Sequence, residues 1–170
     1  MDRGIRGLEN GSIKKPTRLC YHKKIIQFLT HYVIMPVKRI NVSAPHQGLF
    51  DFTQQVANVV RETGITEGLG TLFVQHTSAS LVIQENADPS AKKDLERWLN
   101  RLVPERDSLY THTLEGADDM PAHIKSALTA TSLGIPIYNG QLALGTWQGL
   151  YLWEHRRHGG QRAIVIHIGH

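Results

Sequence analysis

The chain has 170 residues, of which 41% are hydrophobic and 20% charged, as is usual for one globular domain with a core of its own. Its single cysteine, Cys20, excludes an internal disulfide and the paired-cysteine zinc motifs, and is typical of a reducing compartment. The net charge of +4 comes from residues 1–35, where seven Lys and Arg face two acids, so no basic face for nucleic acid is expected.

The N-terminal segment differs from the rest of the chain. Residues 1–24 are rich in Gly, Lys and Arg without periodicity, which predicts disorder. The apolar stretch at 25–37 is too short and too polar for a membrane span. Because Met35 is a second possible start, we expect a disordered or non-native extension over 1–34 and one domain over 35–170, in the cytoplasm and without a membrane partner. A targeting presequence is the alternative.

The first half of the body mixes strands with helices. Alternation predicts a strand over 37–44, and Asp51 can cap a helix over 52–63 that ends at Gly64. Short β-rich runs follow at 69–75 and 81–84. Ser90 can cap a second helix with apolar residues at 95, 98, 99 and 102, and Pro104 follows it. Asp118, Asp119 and a proline at 121 predict a third helix over 122–130.

The second half turns to strands. Asn139-Gly140 predicts a hairpin between 135–138 and 142–144, and Gly159-Gly160 predicts another between 145–154 and 162–168. Strands dominate and helices interrupt them. We therefore expect a single α+β domain, mainly an antiparallel, jelly-roll-like β-sandwich with about three flanking helices.

Three of the ten histidines lie beside other polar residues and could form a metal site. His76, His112 and His123 come from separate elements, and three neutral imidazoles can hold a divalent metal with one position open. The alternative is that each ring caps a strand or helix and bonds the backbone. Spacing alone does not decide between the two.

Acidic residues precede the third predicted helix. Asp118 and Asp119 suit a helix N-terminus, where each acid stabilises by about 0.3–1 kcal/mol. A helix N-terminus needs only one acidic residue as its cap, so the others are available for another role. Glu115, Asp118 and Asp119 could together hold Mg²⁺, which prefers oxygen ligands.

The strand predicted over 145–154 would present polar groups along one face. Alternation puts Thr146, Gln148 and Glu154 on the same side as two leucines, which suits a polar ligand with a flat ring. The alternative is a solvated face opposite an aromatic core face.

Four sequence blocks, in order, resemble the YjbQ-like family of secondary thiamine-phosphate synthases. They are QHTSASL at 75–81, ENADP at 85–89, EGADDMPAHIK at 115–125 and GTWQG at 145–149, and the ending EHR at 154–156 with Gly159-Gly160 is also similar. The resemblance implies a β-sandwich with flanking helices that assembles as a homotrimer. It also implies the joining of hydroxymethylpyrimidine diphosphate to thiazole phosphate with release of pyrophosphate.

The implied reaction requires a divalent metal, Zn or Mg, and a pocket for a small phosphorylated substrate. We assign His76, His112 and His123 to the metal, with Glu115, Asp118 and Asp119 as further ligands or partners of the histidines. The residues expected to be catalytic are His76, His112, His123, Glu115, Asp119 and Glu154, the last of which would also line the substrate face. The residues expected to bind substrate are Thr77, Ser78, Asn86, Lys125, Thr146, Gln148 and Arg157.

Two other functions fit the same residues. The histidines could activate water in a metal-dependent hydrolase of a small phosphorylated compound. The chain could instead form a non-enzymatic trimer that binds a small ligand or a metal.

Overall fold

A computed structural model describes residues 37–169, which form one α+β domain with three helices and six strands. The order is β1 (Val37–Asp51), α1 (Thr53–Thr63), β2 (Gly68–Val74), β3 (Ala79–Glu85), α2 (Pro89–Leu102), α3 (Asp119–Leu128), β4 (Ser132–Tyr138), β5 (Gln141–Leu142) and β6 (Gln148–Gly169). The predicted extension over 1–34 lies outside the described residues. None of the helices within 37–169 has the length and apolar character needed to span a membrane.

The strands form one curled antiparallel sheet around β6. The sheet order is β1-β6-β2-β4-β5, and β3 also pairs with β6. The N-terminal half of β6 pairs with β3, its C-terminal half pairs with β2, and β1 runs beside both halves. The predicted antiparallel α+β class is confirmed, while the jelly-roll sandwich stays a prediction.

The predicted hairpin around Gly159-Gly160 is wrong, because β6 continues through both glycines. Its partner there is β1, with Ala44 opposite Gly160 and His46 opposite His158. A Cβ on Gly159 would lie 2.0 Å from the carbonyl oxygen of Ala44, so the glycine permits a close backbone approach instead of a turn. The hairpin at Asn139-Gly140 is confirmed, and both residues have positive φ, 51° and 73°.

The ends of the first two helices follow local hydrogen bonding. The N-cap of α1 is Phe52, not the predicted Asp51, although the Asp51 carboxylate just before it accepts a hydrogen bond from the N–H of Thr53 at 2.8 Å; the helix ends at Gly64 in the left-handed conformation. The cap of α2 is Asp88, not the predicted Ser90. The Asp88 carboxylate accepts from the N–H of Ser90 at 2.7 Å, with Pro89 at the first helical position.

The three helices differ in how much of their predicted apolar faces is buried. Three valines of α1 are buried against the sheet, beside Leu72 of β2 and Leu152 of β6. On α2 the predicted apolar stripe is only partly buried, because Trp98 and Leu102 are 51% and 54% exposed. The third helix begins at Asp119, earlier than the predicted residue 122. That start puts Asp119 and His123 one turn apart on one face.

Candidate functional site

Three parts of the fold meet around a polar cavity of about 510 Å³. The β2–β3 link crosses the middle of β6, since Val74 pairs with Ile164 and Ala79 pairs with Glu154. The N-terminal turns of α3 and the loop before them lie against the same stretch. The cavity is lined by His76, Thr77, Ser78, His112, Glu115, Asp119, His123, Arg156, His158, Gly159 and Arg162.

Asp119 lies at the centre of the histidine cluster. The residue is 1% exposed, and Oδ2 lies 2.7 Å from Nε2 of His112 and 3.5 Å from Nε2 of His123. One ligand atom from each of the three residues lies within 4.8 Å of the others. Two imidazole nitrogens and one carboxylate oxygen in this arrangement suit a divalent transition metal.

The backbone of the β2–β3 link orients His123. Nδ1 of its ring lies 3.2 Å from the carbonyl oxygen of Thr77, and the Ser78 hydroxyl lies 3.5 Å from the same nitrogen. A neutral ring that donates Nδ1–H to that carbonyl keeps its lone pair on Nε2, which faces Asp119. This tautomer is the one that metal binding through Nε2 requires.

Arg156 organises the acidic segment before α3. Its guanidinium pairs with Oδ1 of Asp119, contacts Oδ2 of Asp118 at 3.1 Å and donates to the carbonyl of Glu115 at 2.8 Å. Burial raises the pKa of Asp118, but the Arg157 N–H and the Arg156 guanidinium outweigh it and lower that pKa overall. Two carboxylates and a loop carbonyl are therefore held by one side chain.

A second ion pair lies beneath the cavity. Glu154 is fully buried, with Oε2 2.6 Å from Nε of Arg162 and Oε1 accepting from the N–H of Arg156 at 2.9 Å. Both arginines extend from β6, so strand geometry fixes their positions. Arg162 lines the cavity and has further N–H groups beyond the one that Glu154 accepts.

His76 differs from the other two cavity histidines of the predicted set. The N–H of Ser78 donates to its Nδ1 at 3.0 Å, so the neutral ring carries its proton on Nε2. Burial, and then the charge of Arg162, lower the pKa of His76. His76 lies outside the compact group of His112, Asp119 and His123. Its geometry is that of a hydrogen-bond donor to a ligand.

The remaining predicted residues lie elsewhere. Lys125 is buried with Nζ 2.5 Å from Oδ1 of Asn100, and burial lowers its pKa. The guanidinium of Arg157 forms two hydrogen bonds with Glu105. The other end of β3, away from the histidines, holds Asn86, Thr146 and Gln148.

Sequence reasoning missed Arg156 and Arg162. Both lie on the same strand as Glu154, so a continuous β6 brings all three side chains to one region, although three residues of β6, 155–157, face only Gln47 of β1. The wrong hairpin prediction had assigned Glu154 and Arg162 to two different strands.

Comparison with known proteins identifies the family. The family model described as UPF0047 protein YjbQ-like matches residues 38–170. The UPF0047 protein sll1880 of Synechocystis sp. is 52% identical over 127 residues, 75% of this chain and 86% of that protein. The Escherichia coli O157:H7 UPF0047 protein YjbQ is 45% identical over 129 residues, with 75% and 93% covered.

A solved structure agrees with the sequence comparison. A Clostridium acetobutylicum protein, described as an uncharacterized conserved protein of the yjbq/upf0047 family, has a TM-score of 0.71 at 34% identity, with 78% of this chain and 99% of that chain covered. Family model, relatives and fold coincide over the described domain. The chain belongs to the UPF0047 YjbQ-like family.

Proposed function

We propose that this protein is a metal-dependent enzyme acting on a small phosphorylated compound, with a thiamine-phosphate synthase-like transfer as its reaction. The supporting observation is the convergence of His112, Asp119 and His123 beside Arg162 in one polar cavity. Metal ligands next to a guanidinium suit a substrate that has phosphate oxygens.

The donor set favours zinc over magnesium. Mg²⁺ prefers oxygen ligands, whereas two imidazole nitrogens with one carboxylate suit Zn²⁺ with an open position. The proposed ligands are Nε2 of His112, Nε2 of His123 and Oδ2 of Asp119, and the Thr77 carbonyl fixes the His123 tautomer. When bound, the metal would supply Lewis-acid stabilisation of the charge on phosphate oxygens.

The residues around the ligands would bind the anionic part of the substrate. His76 offers Nε2–H, Ser78 offers a hydroxyl, and Arg162 offers guanidinium N–H groups. In the proposed transfer, the thiazole nitrogen forms a bond to the methylene carbon of the pyrimidine. The bond from that carbon to the diphosphate oxygen breaks, and pyrophosphate leaves with the electron pair.

Features implied by the family resemblance complete the proposal. They are a jelly-roll-like arrangement of the curled sheet, assembly as a homotrimer and a cytoplasmic location. None of these is needed for the chemistry of the cavity.

Metal analysis combined with product analysis tests the proposed function. Purified wild-type protein is expected to contain about one zinc per chain by mass spectrometry, and Asp119→Ala is expected to lose it. Loaded wild-type protein should form thiamine phosphate from the diphosphate and thiazole phosphate, and Asp119→Ala should not. His167→Ala, a change on β6 outside the cavity, is the matched control.

The outcomes separate the proposed functions. Release of phosphate without the thiazole partner would replace the transfer with hydrolysis. A protein that binds zinc but turns over neither substrate would be a binding protein. Equal zinc content in wild type and Asp119→Ala would contradict the assigned ligands.

A further inference from the structure

Two sequence blocks meet at the end of β3 that lies away from the histidines. Glu85 pairs with Gln148, and the N–H of Asn86 donates to the carbonyl of Trp147 at 3.0 Å. The seven residues of β3 span on the order of 20 Å, so a small molecule at the histidine cavity does not reach this end within one chain. Within one chain, the proposed function therefore gives these residues no role.

The two blocks line an open cavity of about 510 Å³. Its lining combines one large aromatic ring, amides, a carboxylate and small apolar groups: Ile83, Gln84, Glu85, Ala87, Trp147 and Gln148. Trp147 is 65% exposed, although tryptophan is usually one of the more buried residue types. An exposed indole within a concavity is available to stack on a ligand.

The backbone around Trp147 is fixed by short-range contacts. Oε1 of Gln148 accepts from the N–H of Gly145 at 2.8 Å, and the Gln148 N–H donates to the Gly145 carbonyl at 2.9 Å. A Cβ on Gly149 would lie 3.0 Å from the Tyr151 ring and 3.3 Å from Cβ of Asn86. Close packing and hydrogen bonds thus hold the cavity wall in place before any ligand arrives.

The charge of the cavity indicates the kind of ligand. Within residues 37–169, Glu85 takes part in no salt bridge, so its carboxylate is free to pair with a cation. An indole face attracts cations through its quadrupole, and tryptophan does so better than tyrosine or phenylalanine. The amides of Gln84 and Gln148 add donors and acceptors at the rim.

We propose that this cavity is a second binding site, for a small flat organic cation such as an N-alkylated heteroaromatic ring. The ring stacks on Trp147, its positive charge pairs with Glu85, and its polar substituents bond the glutamine amides. The site is separate from the histidine cavity and needs no metal.

Calorimetric titration of the full chain with two matched probes tests the second site. 1-Methylnicotinamide is a flat cation, and nicotinamide is its neutral counterpart. Wild type is expected to bind the cation at least about 10-fold more tightly than the neutral ring, and Glu85→Gln to weaken cation binding about 5- to 10-fold. Trp147→Ala should abolish binding, and Trp147→Phe should give intermediate affinity.

Control variants distinguish this site from a general effect. Trp98→Ala removes another half-exposed indole, from α2, and should bind the cation like wild type. His123→Ala alters the histidine cavity and should also bind it like wild type. Equal affinity for the two probes, no binding of the cation up to about 10 mM, or unchanged binding in Trp147→Ala would overturn the proposal.

Discussion

Arg156 holds one carboxylate oxygen of Asp119 and thereby turns the other oxygen toward the two histidines. The pair involves Nη1 and Oδ1, while Oδ2 lies 2.7 Å from Nε2 of His112. The same guanidinium contacts Asp118 and the carbonyl of Glu115, so it cannot rotate without breaking three interactions. The arginine is a positioning residue for the proposed metal ligands.

Replacing Arg156 with lysine should weaken zinc binding while the three ligands remain. Lysine keeps the positive charge but lacks the planar fork that bridges two carboxylates and a carbonyl. Loss of such a partner of a metal ligand typically costs about 10- to 100-fold in affinity. Competition with a chromogenic chelator measures the change.

The matched control is Arg97→Lys, on α2, where the side chain is 78% exposed. It should bind zinc as wild type does. Equal zinc affinity for Arg156→Lys and wild type would show that Asp119 needs no such support.

His155 should make the domain sensitive to acid. The ring is buried and bonds the Ser80 hydroxyl at 2.9 Å, and burial together with the charge of Lys125 lowers its pKa to about 3. Between pH 6.5 and about 3 the unfolded chain therefore binds the extra proton. The contribution of neutral His155 to the free energy of unfolding is fully present above pH 6.5. It decreases by about 1.4 kcal/mol for each pH unit below that value.

Denaturant unfolding at several pH values isolates that contribution. His155→Gln removes the titrating ring but keeps a polar partner for Ser80. Its free energy of unfolding should fall less steeply than that of wild type between pH 6 and pH 4, because the carboxylates act equally on both proteins. Parallel slopes would show that His155 is already protonated in the folded domain.

Lys125 should influence His155 and not the proposed metal site. Its ammonium is buried and bonds Asn100, and its charge adds to burial, the larger cause, in lowering the pKa of His155. Lys125→Met removes the charge while keeping a similar volume, so the pKa of His155 should rise toward its ordinary value. NMR titration of the His155 ring measures this, with the exposed Lys93→Met as control. Loss of zinc from Lys125→Met, or an unchanged His155 pKa, would contradict the expectation.

Most local structure could be predicted from the sequence, but the central strand β6 was wrongly predicted to be two strands joined by a hairpin. Turns and helix ends at Gly64 and Asn139-Gly140 could be predicted because their backbone conformations depend on the residues themselves and their immediate neighbours. The reason for Gly159 lies in β1, more than a hundred residues away, and no local pattern contains it.

The candidate site was predictable in its residue types but not in its grouping. Helical spacing links Asp119 to His123 only once the helix is known to begin at Asp119, and His112 lies in the preceding loop, so the fold alone brings it to the same carboxylate. The separation of Asn86 and Gln148 from the histidines follows from the register of β3 on β6, a long-range pairing. Arg156 could be inferred only once β6 was known to be continuous.

Alanine substitutions at Gly159 and Gly160 test whether β6 continues through both glycines with β1 packed closely against Gly159. A Cβ at Gly159 would meet the Ala44 carbonyl oxygen at 2.0 Å and Cγ of Glu154 at 2.9 Å, whereas at Gly160 the nearest atom is an arginine nitrogen at 3.7 Å. Gly159→Ala must therefore push β1 from β6 and disturb Glu154, and should lower the free energy of unfolding by about 2–4 kcal/mol. Gly160→Ala should change it by less than about 1 kcal/mol. Denaturant unfolding compares the two variants. Equal effects would mean that β1 and β6 do not approach each other in this way, since a turn would tolerate alanine poorly at both positions.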